Sequence, residues 1–135
     1  MYSNIIVPIS FDDETKIAAA MKVAQMLQSK GGKITLLHVI EEIPGYVINY
    51  LPQDFIRSSH AAIEADLTRL ASAYGPASHR VITGHSGRTI LEYAETSGAD
   101  LIVIGSHRPG MQDLLMGSTA THVVRHSACA VHVLR

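Results

Sequence analysis

Short aliphatic runs recur along the chain: IIV (5–7), ITLLHVI (34–40), RVIT (80–83), LIVI (101–104) and AVHVL (130–134). They run without strict polar alternation, the habit of strands buried on both faces of a parallel sheet. Between them apolar residues fall at helical spacing. Ile17, Met21, Ala24 and Leu27 make one stripe, with Gly31-Gly32 as its expected stop. Ile63, Leu67, Leu70 and Tyr74 make a second, ended by Gly75-Pro76. Ile90, Leu91 and Ala94 mark a third helix closed by Gly98, and Ala120, Val123 and Val124 a fourth that opens near Gly117-Ser118-Thr119. The order β-α-β-α-β-α-β-α-β predicts an α/β fold, an open, doubly wound sheet with right-handed crossovers. Ligands of such sheets sit beyond the carboxyl ends of the strands, where the strand order reverses.

The 135 residues suit a single domain spanning 1–135, with no internal repeat or linker. The least regular stretch is EEIPGYVINYLPQD (41–54), expected to be a loop serving as a lid, an oligomer contact or a packed connection. A hydrophobic content of 47% excludes a disordered chain, and a net charge of -1 argues against a nucleic-acid or acidic-membrane binder. The charge is uneven: residues 105–135 carry +2 and residues 1–104 carry -3, so the glycine-bearing end is the one friendly to anions. Cys129 is the only cysteine, which rules out an intrachain disulfide. The opening MYSNIIVPIS has neither a basic leader nor a long apolar region, and a cytoplasmic location away from membranes is expected.

Candidate chemistry concentrates in GSHRPGMQDLLMGSTATHVVRHS (105–127). Gly105 and Gly110 have the spacing of a phosphate loop, but Met111 and Gln112 stand where that loop needs lysine and a hydroxyl residue. A helix opening at Gly117-Ser118-Thr119 offers another grip: free N–H donors, the positive end of the macrodipole and two hydroxyls. Arg108 adds a full charge. The same residues also suit an ordinary strand–loop–helix, with glycines for turning and Ser/Thr for capping. Spacing alone leaves both readings open.

The stretches IIVPIS, LLHVI and GSHRPGMQDLLMGSTATHVVRHSACAVHVLR closely resemble the universal stress protein family. The resemblance covers nearly the whole chain and is weakest across 41–75. Nucleotide-binding members carry G-x2-G-x9-G-[ST]; here Arg108 stands in place of the second glycine, and eight residues lead to Gly117-Ser118. That SHRP form with the shorter loop is similar to the bacterial F/G-type branch.

The resemblance implies a five-stranded open parallel sheet of order 3-2-1-4-5, like that of adenine-nucleotide alpha-hydrolases. It also implies binding of ATP, or of AMP or ADP, with Mg2+ as a companion ion. Carried over, Val39 would meet adenine through its backbone, with Pro8 and Ile9 on the adenine-ribose side. Ile104, Gly105, Arg108, Gly117, Ser118 and Thr119 would surround ribose and phosphates, with His107 as a donor nearby. The family usually has aspartate where this chain has Ser10, and losing that charged partner to the ribose would cost ~1 kcal/mol or somewhat more. The family also pairs its last strand between subunits, which implies a homodimer through 130–135, or a tetramer of two dimers.

Three other constellations compete. TGHSGRT (83–89) nearly spells the elbow of serine hydrolases, but Gly87 is displaced and Arg88 fills its place, so Ser86 reads better as a helix cap. Asp12 and Asp13 resemble a phospho-receiver's acidic pair, yet no lysine lies beyond Lys33, and the acids simply suit a helix start. His122 and His126 at i, i+4, with Cys129 beyond, lack a completing motif, and no metal site is assigned. No catalytic residue is assigned either. The expectation is a stress-response sensor with at most slow hydrolysis or self-phosphorylation at Ser118 or Thr119. The alternatives are a nucleotide-free dimeric interaction module and a hydrolase built on Ser86.

Overall fold

The computed structural model describes residues 1–11, 14–106 and 116–135. Its described elements are β1 (Tyr2–Pro8), α1 (Glu14–Leu27), β2 (Gln28–Ile40), α2 (Gly45–Ile48), α3 (Gln53–Ala73), β3 (Ser78–Thr83), α4 (Ser86–Ser97), β4 (Leu101–Gly105), α5 (Ser118–His126) and β5 (Ala130–Leu134). The strands form one all-parallel sheet in the order β3-β2-β1-β4-β5. The alternating order and the strand sequence match the expectation.

Alternation along each strand divides the core between the two faces of the sheet. Ile5, Val7, Ile34, Leu36, Leu101 and Val103 meet Ile17, Met21 and Ala24 of α1 and Leu67, Leu70 and Ala71 of α3. Ile6, Leu37, Ile102 and Ile104 point the other way, onto Ile90 and Ala94 of α4 and Val123 of α5. Ile5, Ile6, Val7, Ile102 and Val103 are fully buried. Covered on both faces, these strands have no use for polar positions, hence their continuous apolar runs. Thr35 is the exception, 1% exposed with its hydroxyl lacking any hydrogen-bond partner among the described residues.

Several boundaries depart from the sequence reading. The first helix ends at Leu27, and Gly31-Gly32 lie inside β2 rather than stopping the helix. The β1–β2 register shifts there, from Tyr2↔Gln28 to Asn4↔Lys33, and Gly31 takes φ +78°, a value glycine adopts without penalty. The 41–54 stretch is not structureless: it contains α2, and α3 begins at Gln53, ten residues before the apolar stripe starts at Ile63. The first three turns of α3 carry no sequence signal because the helix buries only Leu67, Leu70 and Ala71. At the other end of α4, Gly98 (φ 72°) makes the expected left-handed cap.

At the amino ends of the strands, Asp100 ties β4 to β1. Its carboxylate accepts from Ser3 N–H (2.9 Å), Ser3 Oγ–H (3.1 Å) and Asn4 N–H (3.0 Å). Desolvation opposes ionisation, but these hydrogen bonds together hold the carboxyl below the usual carboxylate range. This lock lies opposite the carboxyl ends, where the candidate site forms.

Candidate functional site at the carboxyl ends of the strands

The chain winds outward from β1 to β2 and β3, then returns to β4 on β1's other side. β1 and β4 pair only at Ile5↔Leu101 and Ile6↔Ile102, so a crevice opens above them. A cleft of about 540 Å³ occupies that crevice, within the size range of small-molecule sites. Pro8, Ile9 and Ser10 at the end of β1, Val39 of β2, and Ile104 and Gly105 of β4 line it. So do Gly117, Ser118 and Thr119 at the start of α5. Nine predicted residues from four separate stretches thus share one cavity. His107 and Arg108, with Asp12 and Asp13, lie outside the described residues.

Backbone bonds fix the cleft's far wall. Ser106, 4% exposed, donates its N–H to Leu134 C=O (2.7 Å) and accepts from Gly117 N–H (2.6 Å). The start of α5 is thereby pinned to the ends of β4 and β5. Gly117 is the N-cap residue, and among the described residues no side chain caps this helix. Among the described residues, main-chain N–H groups and the Ser118 and Thr119 side chains make up the positive end of the helix dipole. The near wall hangs on β2. Ile9 N–H donates to Leu37 C=O (2.9 Å), and the His38 ring contacts Ile9 C=O through Nδ1 (3.0 Å).

Ser86 departs from expectation. The N-cap of α4 is His85, whose ring accepts from Arg88 N–H, and Ser86 is the first helical residue. Its Oγ instead shares a 2.8 Å hydrogen bond with Thr119 Oγ1, joining the starts of α4 and α5 within the cleft. Among the described residues neither an imidazole nor a carboxylate hydrogen-bonds to this hydroxyl, the contact through which a general base activates a serine nucleophile. The next residue, Gly87, gives α5 its closest approach: a Cβ there would lie 2.8 Å from His122 Cδ2. Close packing of α4 on α5, rather than an elbow, explains that glycine.

His122 and His126 do share a face, with ring centroids 4.5 Å apart, and the His126 Nδ1–H donates to the His122 carbonyl (2.9 Å). Among the described residues no three His, Cys, Asp or Glu side chains gather to hold a metal.

The sequence reading missed Lys16, Ile17 and Ala20 of α1, together with His38, Glu41, Ser86 and Arg135 as lining residues. One signal was available for α1. The first turn of a helix that follows a strand must arch over that strand's carboxyl end, so Lys16 was within reach. Lys16 has no hydrogen bond or ion pair among the described residues, which leaves its charge to the cleft. Arg135 had no such signal, because its place depends on β5 lying beside β4.

The fold and the cleft define the molecule as a doubly wound α/β protein with a crevice at its topological switch point. No helix of the described residues is long and apolar enough to cross a membrane. The chain belongs to the universal stress protein family, whose model matches residues 1–135. It is 33% identical to Universal stress protein G of Salmonella typhimurium over 143 aligned positions, which span the whole of both proteins. The solved UspA of Lactobacillus plantarum superposes with a TM-score of 0.72 at 27% identity, covering 99% of this chain and 98% of that one. A universal stress protein of Archaeoglobus fulgidus, described in complex with dAMP, gives 0.65 at 17% identity, with 99% and 98% covered.

Proposed function

We propose that the protein is a cytoplasmic stress-response regulator that binds ATP or a related adenine nucleotide in the β1–β4 cleft. The observation that carries the reading is the convergence of Pro8, Ile9, Ser10, Val39, Ile104, Gly105, Gly117, Ser118 and Thr119 on one cavity. The dAMP bound by the Archaeoglobus fulgidus relative supports the same ligand class. Adenine would lie against the apolar side, at Ile9 and Val39, and the phosphates would meet the uncapped start of α5. Lys16 would supply a positive charge that the phosphate-loop comparison lacked. The fit to a nucleotide rests on chemistry: an apolar wall, hydroxyls, helix N–H donors at the start of α5, and Lys16, which has no ion-pair partner among the described residues.

Magnesium fits less well. Glu41 is the only carboxylate among the described lining residues, so an ion would arrive bound to the phosphates rather than wait in a protein cage. Binding rather than turnover is the reading: the Ser86 and Thr119 hydroxyls share one hydrogen bond with each other, and among the described residues no base is bonded to either. Ser118, exposed at the first position of α5, is the hydroxyl open to slow phosphoryl transfer.

β5 is an edge strand whose Val131, Val133 and Leu134 are half-buried. Pairing it with a second copy through 130–135 would cover that edge and give a homodimer. Sedimentation at micromolar concentration checks this, and a monomer overturns it.

To test the ligand, freshly purified protein is denatured and the released small molecules are identified by mass spectrometry. The emptied protein is then titrated with ATP. Released adenine nucleotide, or saturable binding weakened by Gly117→Val, is the expected result. An empty protein that ignores millimolar ATP overturns the reading and favours a nucleotide-free interaction module.

A further inference from the structure

His38 is the one polar side chain at the carboxyl end of an otherwise apolar run, Leu36 to Ile40, and it is half-buried in the wall of the cleft. Its ring contacts the Ile9 carbonyl through Nδ1 at 3.0 Å. A carbonyl oxygen can only accept, so Nδ1 carries the hydrogen and donates. The regular β1–β2 pairing ends one residue earlier, at Pro8↔Leu37. The Ile9 N–H still reaches Leu37 C=O (2.9 Å), and the His38 side chain takes the Ile9 carbonyl. Both polar groups of the Ile9 backbone are thus held by consecutive residues of β2. On the same side the Phe11 ring lies 4.8 Å from the His38 ring, centroid to centroid, at 59°. Ile9 through Phe11 is where the chain leaves the sheet, and Ile9 and Ser10 form the wall of the cleft beside the β1–β4 crevice.

We infer that His38 is a positioning residue for ligand binding: through the Ile9 carbonyl it sets the Ile9–Phe11 backbone in the shape that the adenine-ribose side of the ligand meets. This inference rests on the adenine-nucleotide reading for its ligand, but its geometry belongs to the protein alone. The side chain bridges where the backbone ladder ends. It therefore orders the wall before the ligand arrives and removes an ordering cost from binding.

The test uses three variants of the full chain. Asn carries its amide N–H close to the position of His Nδ1, Gln carries it close to Nε2, and Leu keeps bulk without a donor. His38→Leu and His38→Gln are expected to weaken ATP binding about fivefold to tenfold, the worth of one well-placed hydrogen bond. His38→Asn is expected to recover most of that loss, whatever each variant does to Tm. In the ligand-free protein, amide exchange across 9–11 is expected to rise in His38→Leu and stay near wild type in His38→Asn. The nitrogen NMR shifts of the wild-type ring are expected to report hydrogen on Nδ1.

Equal ATP affinity in wild type and His38→Leu overturns the inference, as does an equal loss in the Asn and Leu variants. If wild type binds no adenine nucleotide, the functional reading fails separately. The exchange comparison and the ring shifts then decide alone whether His38 orders the wall.

Discussion

Gly105 closes β4 at the mouth of the cleft, and the described residues give no reason for a glycine there. Its φ is not positive, and a Cβ built on it meets no described atom within 4 Å. Adding a methyl group should therefore leave the sheet intact. Replacing glycine where the backbone already suits alanine stabilises by about 0.4–1 kcal/mol, chiefly by restricting the unfolded chain. The added carbon nevertheless projects from a residue that lines the cleft. A ligand seated against the Gly105 backbone would have to retreat to make room for carbon contact at about 3.5–4 Å. Overpacking of this kind costs about 1–3 kcal/mol, which corresponds to a loss of affinity of about fivefold to 150-fold. Gly105→Ala should thus raise Tm slightly while weakening ATP binding, and these opposite signs make the experiment decisive. Calorimetric titration with ATP and a thermal melt of the same sample read both. Unchanged affinity would show that the ligand does not approach Gly105. A lowered Tm would show that the glycine serves the strand end, and the reasoning from open space would be wrong.

Thr35→Val replaces a buried hydroxyl that has no described partner with a methyl group of the same shape, and it should stabilise the protein by about 1 kcal/mol in urea unfolding. Equal or lower stability would point to a partner for the hydroxyl. Gly87→Ala places a methyl 2.8 Å from His122 Cδ2 and 3.1 Å from its Cβ, so the His122 ring must move and α5 give way slightly. A loss of about 1–3 kcal/mol should appear, with weaker nucleotide binding because the Ser86–Thr119 bond spans the same seam; an unchanged melt would show that the helices give way freely. Asp100→Asn should lower stability at pH 7 by about 1–2 kcal/mol without touching the cleft, since it weakens the bonds from Ser3 and Asn4. The native carboxyl is held below its unfolded value, so its contribution is complete above about pH 4 and is lost as pH falls through the native pKa. The difference in Tm between wild type and Asp100→Asn should therefore shrink at pH 3, and an undiminished gap there would refute the linkage.

Much of the architecture was legible because the signals are local. Ile5 to Val7 and Leu101 to Ile104 read as strands buried on both faces, and they lie at the centre of the sheet. Gly98 read as a helix stop because only its left-handed backbone ends α4 so tightly. Gly31-Gly32 misled for the same reason. A glycine pair signals a break, but whether it ends a helix or bends a strand depends on β1 lying alongside to receive the irregular register. The start of α3 was hidden because its first turns bury nothing, and an exposed helix carries no apolar stripe to read.

The sequence by itself determined the alternating elements and the glycine-serine start of α5, because periodicity and capping act over a few neighbouring residues. The tertiary structure decided which side chains share the cleft. Ser86 meets Thr119 across 33 residues of chain, His38 meets Ile9 across 29, and Arg135 arrives only because β5 lies beside β4. Such meetings depend on how the sheet twists and its helices pack, and no window of neighbouring residues contains that geometry.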